Sequence, residues 1–87
     1  MSVDATACVA NGVVERVDGL CFGGRYYFPP GDEQPEAVEL AVWAEGSDAV
    51  HVELRVGESL EFSGQTWRLD EITQQGPNWN ASLTRTS

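Results

Sequence analysis

Val38-Glu39-Leu40-Ala41-Val42-Trp43, and then Val50-His51-Val52-Glu53-Leu54-Arg55 beyond a break at Gly46-Ser47-Asp48, is the stretch that decides the fold. Apolar residues recur at every second position on both sides of the break, the period of a half-buried strand and not of a helix. Two facing strands must turn both apolar sets to one side. An odd-length loop at Gly46-Ser47-Asp48 does this by pairing Val42 with Val52 and Leu40 with Leu54, whereas a loop one residue longer or shorter sends one set to solvent. The same register predicts Glu39 opposite Arg55 and Trp43 opposite His51, pairs worth roughly 0.2–1 kcal/mol each on the outer face.

Toward the C-terminus, Val56-Gly57-Glu58-Ser59 reads as a turn, and Gly64-Gln65 fits a short type II′ loop with glycine at the first central position. Phe62 then faces Trp67, Leu60 faces Leu69, and Glu61 faces Arg68. Glu71 and Ile72 break phase, which predicts a bulge or a strand end there. Glu71 falls at an inward phase, which burial or a strand end in water accounts for equally. After the Gly76-Pro77-Asn78 breaker, Trp79, Ala81 and Leu83 alternate again in a last strand over residues 79–85.

Toward the N-terminus, residues 7–10 and 13–17 flank Asn11-Gly12, a strong hairpin signal, and Asp18-Gly19 offers another turn. Residues 20–28 read as one strand bent at Gly23-Gly24, on which Tyr26 and Tyr27 straddle the two faces. Pro29-Pro30-Gly31-Asp32-Glu33-Gln34-Pro35-Glu36 then reads as a polar, proline-stiffened crossover between the two halves. Neither half has the apolar residues for its own core, and chains below ~40 residues usually need metals or disulfides to fold alone. The expectation is therefore one all-β domain over residues 1–87, with six or seven short antiparallel strands curled into a small barrel or sandwich. No window holds a sustained i, i+3, i+4 pattern.

Composition bounds the functions available. With 87 residues, 41% hydrophobic and 22% charged, the chain is globular and not disordered. No apolar run approaches the ~18 residues of a membrane helix. Met1-Ser2-Val3-Asp4 carries no basic or signal-like stretch, so a cytoplasmic location is expected. Fourteen acids stand against five arginines and no lysine, for a net charge of -9. All-arginine usage marks a GC-rich coding genome. Phosphate contact needs clustered basic residues, so nucleic acid is an unsuitable partner. The acidity serves solubility, or else complements a basic partner as in nuclease-blocking immunity proteins.

Motifs for chemistry are sparse. Cys8 and Cys21 form no CxxC pair, and in a meander of these strands they flank the strand over 13–17, about 9–10 Å apart at ~4.8 Å per strand step and beyond disulfide reach. Reduced thiols are expected, with no histidine positioned to activate them. Asp32, Glu33 and Glu36 lack the spacing of a calcium loop, and Asn80-Ala81-Ser82 matches a glycosylation sequon by chance. No catalytic residue, metal site or cofactor is identified. The candidate ligand contacts are Trp43, His51 and Glu53, an exposed indole beside a base and an acid, which ordinary cross-strand packing explains as well. Such a site needs a concavity of at least ~300 Å³ that contains the histidine.

Three segments carry a family resemblance: residues 54–62 (LRVGESLEF), 65–72 (QTWRLDEI) and 78–85 (NWNASLTR). Their Gly-Glu turn, Thr-Trp-Arg-Leu-Asp hairpin and short last strand resemble a family of short uncharacterised all-β proteins from actinobacteria. The resemblance covers about a third of the chain and implies a compact β domain with no assigned activity or site.

The leading functional expectation is a non-enzymatic protein-interaction module that uses a sheet face or the acidic loops. One alternative is a small-molecule-binding protein or minor enzyme using a barrel mouth near Trp43 and His51. The other is an acidic immunity-type inhibitor of a basic partner.

Overall fold

The computed structural model describes residues 5–87 and contains eight strands. Residues 1–4, which carry the expectation of no leader, lie outside the described residues. The strands are β1 (Thr6–Ala10), β2 (Val14–Val17), β3 (Leu20–Phe28), β4 (Ala37–Ala44), β5 (Val50–Arg55), β6 (Ser59–Phe62), β7 (Gln65–Gln75) and β8 (Asn78–Arg85). They form two antiparallel four-stranded sheets, A in the order β1-β8-β7-β6 and B in the order β2-β3-β4-β5. The path is an up-and-down meander in which β1 pairs with β8, but no ladder joins β1 to β2 or β5 to β6. The result is a sandwich with eight strands, more than the six or seven expected, and not a closed barrel.

Alternation sets the core. Val38, Leu40 and Val42 of β4, Leu20 and Phe22 of β3, and Leu54 of β5 turn inward from sheet B. Trp67, Leu69 and Ile72 of β7, with Trp79, Ala81 and Leu83 of β8, meet them from sheet A. Phe22 lies edge-on to Trp67, with ring centroids 5.0 Å apart and an interplanar angle of 66°. Both are fully buried, so this contact joins the two sheets at the centre of the core. The phase break in β7 is a bulge between Leu69 and Glu71, after which Ile72 faces the core and Glu71 is exposed. Tyr26 is exposed and Tyr27 leans on the core, as the alternation in β3 requires.

Both predicted hairpin registers are off by two residues, an even slip that keeps every apolar residue on its expected face. In the β4–β5 hairpin Val42 pairs with Val50 and Leu40 with Val52. Glu39 therefore faces Glu53, Arg55 faces Ala37, and His51 faces Ala41 instead of Trp43. The chain turns earlier than expected, over residues 44–47: the Ser47 N–H donates to the Ala44 carbonyl at 3.0 Å, Gly46 takes a φ of 82°, and the Ser47 hydroxyl accepts the Ala44 N–H and donates to the Ala44 carbonyl, both at 3.0 Å. Those backbone groups are thereby closed to β5, and pairing starts further from the turn. In the β6–β7 hairpin Phe62 pairs with Gln65, Leu60 with Trp67, and Ser59 with Arg68. Ser63 and Gly64 both take positive φ, 53° and 77°, so the turn is type I′ over Ser63-Gly64 and not type II′ over Gly64-Gln65.

The ion pairs follow the true registers. Arg25 Nε meets Glu39 at 2.9 Å, Arg55 lies 3.5 Å from Glu53, and Arg68 Nε meets Asp70 at 2.7 Å. Neither Glu39–Arg55 nor Glu61–Arg68 forms. Asp70 also accepts a hydrogen bond from Thr84, and this bond, followed by that from Arg68, holds its carboxyl below the usual aspartate range. Arg85, buried at the end of β8, reaches across the sheets to Asp18 at 3.0 Å.

Two expected connections differ more deeply. Asn11-Gly12 joins β1 to β2, but these strands belong to different sheets, so the turn is a corner and not a hairpin. The Val13 N–H donates to the Ala10 carbonyl at 3.2 Å, while Ala7 and Val9 pack against β8. Residues 29–36 join β3 to β4 within sheet B, so they form a hairpin loop and not a crossover between halves. The passage from sheet B to sheet A is the 56–58 turn. Cys8 and Cys21 are free thiols on different sheets, Cys8 exposed and Cys21 buried, and not neighbours across one strand.

At the corner, β3 passes so close to β1 that a Cβ on Gly24 would stand 2.4 Å from the Ala10 carbonyl oxygen and 2.8 Å from the Trp79 ring. Gly24→Ala is therefore expected to destabilise the domain by about 2–4 kcal/mol. Gly31→Ala, at a site with nothing within 4 Å, should change little, and urea midpoints separate the two. Because the folded Asp70 carboxyl ionises below its unfolded value, its contribution is present above the unfolded pKa and is lost as pH falls through the folded one. The stability difference between the wild type and Asp70→Asn should accordingly shrink from neutral to strongly acidic pH, modestly because the carboxylate is partly in water.

Candidate functional site

The outer faces of the two sheets are chemically unlike. Outward positions of sheet A are mainly short and polar, among them Thr6, Cys8, Asn80, Ser82 and Thr84. Sheet B turns aromatic and aliphatic groups outward in rows that run across β3, β4 and β5: Gly23–Ala41–His51, Tyr26–Glu39–Glu53 and Phe28–Ala37–Arg55. Cys21 and Trp43 pair at the end of the same face.

Local backbone features arrange this face. Gly23 has no side chain, so the Trp43 ring lies over it, 3.4 Å from where a Cβ would be. The bulge between Gly24 and Tyr26 takes Arg25 out of the alternation. Its guanidinium then sits 5.3 Å from the centre of the Tyr26 ring while it pairs with Glu39. Tyr26 and Phe28 follow with ring centroids 6.5 Å apart, and both are exposed.

A concavity lies at each end. The first, of about 520 Å³, is walled by Pro30, Pro35 and Glu36 of the 29–36 loop and by Arg55, Val56 and Glu58 opposite. Both of its carboxylates are already engaged. Tyr27 donates its hydroxyl to Glu36 at 2.7 Å, and this hydrogen bond raises the tyrosine pKa above its ordinary value. The Arg55 N–H donates to Glu58 Oε1 at 2.9 Å. The second concavity, of about 420 Å³, is lined by Arg16, Gly19, Cys21 and Trp43 and by the 44–47 turn.

Of the residues singled out from the sequence, Trp43 lines the second concavity. His51 and Glu53 stand exposed on β5 and line neither of the two; His51 is a diagonal neighbour of Trp43, not its partner. Sequence reasoning missed the proline-walled groove because its walls lie some twenty residues apart along the chain. The one available signal was the pair Pro30 and Pro35, which stiffen a long loop. Among the described residues no group of three or more histidines, cysteines or acids is placed to hold a metal ion. Among the same residues no helix is long and apolar enough to cross a membrane.

Trp67 and Trp79 are buried in the core, which leaves Trp43 as the tryptophan within reach of solvent. Trp43→Phe should therefore remove most of the iodide-quenchable emission while leaving the thermal midpoint nearly unchanged. Quenching that persists in the variant would place the accessible indole elsewhere.

No curated protein and no solved structure matches the chain. A family model does match, and it extends well beyond the three C-terminal segments. The model of a family of unknown function, DUF6406, matches residues 4–87, both sheets included, and the chain belongs to that family.

Proposed function

We propose that the domain is a non-enzymatic interaction module that holds a basic protein segment against sheet B, with an apolar side chain of that segment seated in the proline-walled groove. The observation that carries this reading is the coincidence, at one end of one sheet, of a groove, exposed apolar groups and carboxylates. Val56 lines the groove and is 52% exposed, and Phe28 shares a sheet row with the groove residue Arg55. Glu36, Glu39, Glu53 and Glu58 lie around them, against Arg25 and Arg55.

Three physical points support it. The groove's two acids are hydrogen-bonded internally, so covering them with an apolar side chain strands neither carboxylate. Two prolines stiffen the wall and limit the ordering cost of binding. A net charge of -9 steers a basic partner over long range and discourages an acidic one. An immunity-type inhibitor of a basic enzyme is one form of this arrangement, with the groove set against the enzyme's own surface. A nucleophilic enzyme is less well supported, since His51 lies on β5, two strands from Cys21 on β3.

The test uses fluorescein-labelled peptides in which a central leucine or tryptophan is flanked by arginines, compared with an alanine-centred control. Anisotropy should give a Kd in the range of about 1–100 μM for the apolar-centred peptides. Affinity should fall as salt rises from about 50 to 500 mM, and should drop about tenfold in Val56→Asp or Phe28→Ser. Equal binding of the alanine control, or no saturation with any peptide, would count against the proposal.

A further inference from the structure

The concavity at the other end of sheet B holds an arrangement that the interaction reading does not use, and its chemistry is independent of that reading. Four of the five arginines are ion-paired: Arg25 with Glu39, Arg55 with Glu53, Arg68 with Asp70 and Arg85 with Asp18. Arg16 forms no ion pair among the described residues, although acids outnumber arginines almost threefold. It lines the concavity together with Glu45, which likewise forms none among them, and the two do not come within 4.0 Å of each other. One wall is thus cationic and another anionic, with open space between them.

The rest of the lining suits a flat apolar body. Trp43 rests on the Gly23 backbone with its ring partly open to solvent, which offers a stacking surface that is already positioned. Cys21, the register partner of both Arg16 and Trp43, is buried on the floor between them. Ser47 bonds Ala44 through both backbone groups, so the turn that carries Glu45 is held in place. The volume of about 420 Å³ suits a small molecule and is too small for a folded segment.

We infer that this concavity binds a small zwitterion with a planar apolar portion, the chemical class of the aromatic α-amino acids. Arg16 takes the carboxylate through its planar fork, Glu45 takes the ammonium, and Trp43 stacks on the ring. A ligand with a single charge leaves one wall unmatched. A polyanion such as a nucleotide sets its negative charge against Glu45 and against the -9 of the whole chain.

The experiment is an amide-shift titration of the whole ¹⁵N-labelled chain with L-phenylalanine, phenylacetate and phenethylamine, which share a ring and differ in charge. L-Phenylalanine should shift the Trp43 indole N–H and the amides of Gly19, Cys21 and Gly46 saturably. The two singly charged analogues should bind about fivefold more weakly or worse, ~1 kcal/mol. Arg16→Gln should weaken L-phenylalanine about tenfold and phenethylamine little, and Glu45→Gln should spare phenylacetate instead. Both side chains are exposed, and an otherwise unchanged spectrum certifies each variant's fold. The inference is overturned by an absence of saturable shifts at these groups, by equal affinity for the three probes, or by indifference to both substitutions. Shifts confined to the proline-walled groove would overturn it as well.

Discussion

Trp67 is the residue on which the two sheets agree. Its ring takes Phe22 edge-on from the opposite sheet, and its indole N–H, which would be a costly orphan in an apolar core, donates to Gln65 at 3.0 Å. Gln65 in turn donates to the Asp18 carbonyl at 2.9 Å, and the Asp18 carboxylate holds the buried Arg85. One aromatic contact is thus continuous with a polar cap that ties the β2–β3 turn to the end of β8. A sandwich whose seams carry no ladder needs such ties, because β1 and β2, like β5 and β6, are joined only by turns and packing.

The apolar period made the all-β class and the inward residues legible, since burial obeys face parity alone. Register was not legible for the same reason: a slip of two residues leaves the apolar pattern unchanged. What fixes it is turn chemistry, namely the Ala44–Ser47 turn with Gly46 at positive φ and the paired positive φ of Ser63 and Gly64. Glu39–Arg55 was an attractive charge pair, yet its worth is too small to outweigh those turns. Asn11-Gly12 misled differently. It does close a turn, but whether the next strand returns beside the last or crosses to the facing sheet is decided by what is packed nearby, and Gly24 leaves room there for β1.

The candidate site was legible only in Trp43. The outward rows of sheet B depend on β3 lying beside β4, and the groove depends on the 29–36 loop turning back over the β5–β6 turn. Neither adjacency is written in any local window. Arg16 was invisible for a subtler reason, as its distinction is the lack, among the described residues, of an ion pair that the other four arginines possess.

Traced from end to end, the strands give the sandwich a polarity. The Arg85 N–H donates to the Ala5 carbonyl, so the chain enters β1 and leaves β8 side by side, at the end where Asp18 and Gln65 lie. The 29–36 loop and the 56–58 turn sit at the other end, along a body whose longest dimension is 39 Å. A neighbouring domain, a tag or a surface linked through either terminus would therefore leave the groove pointing outward, like the free end of a post planted by its base.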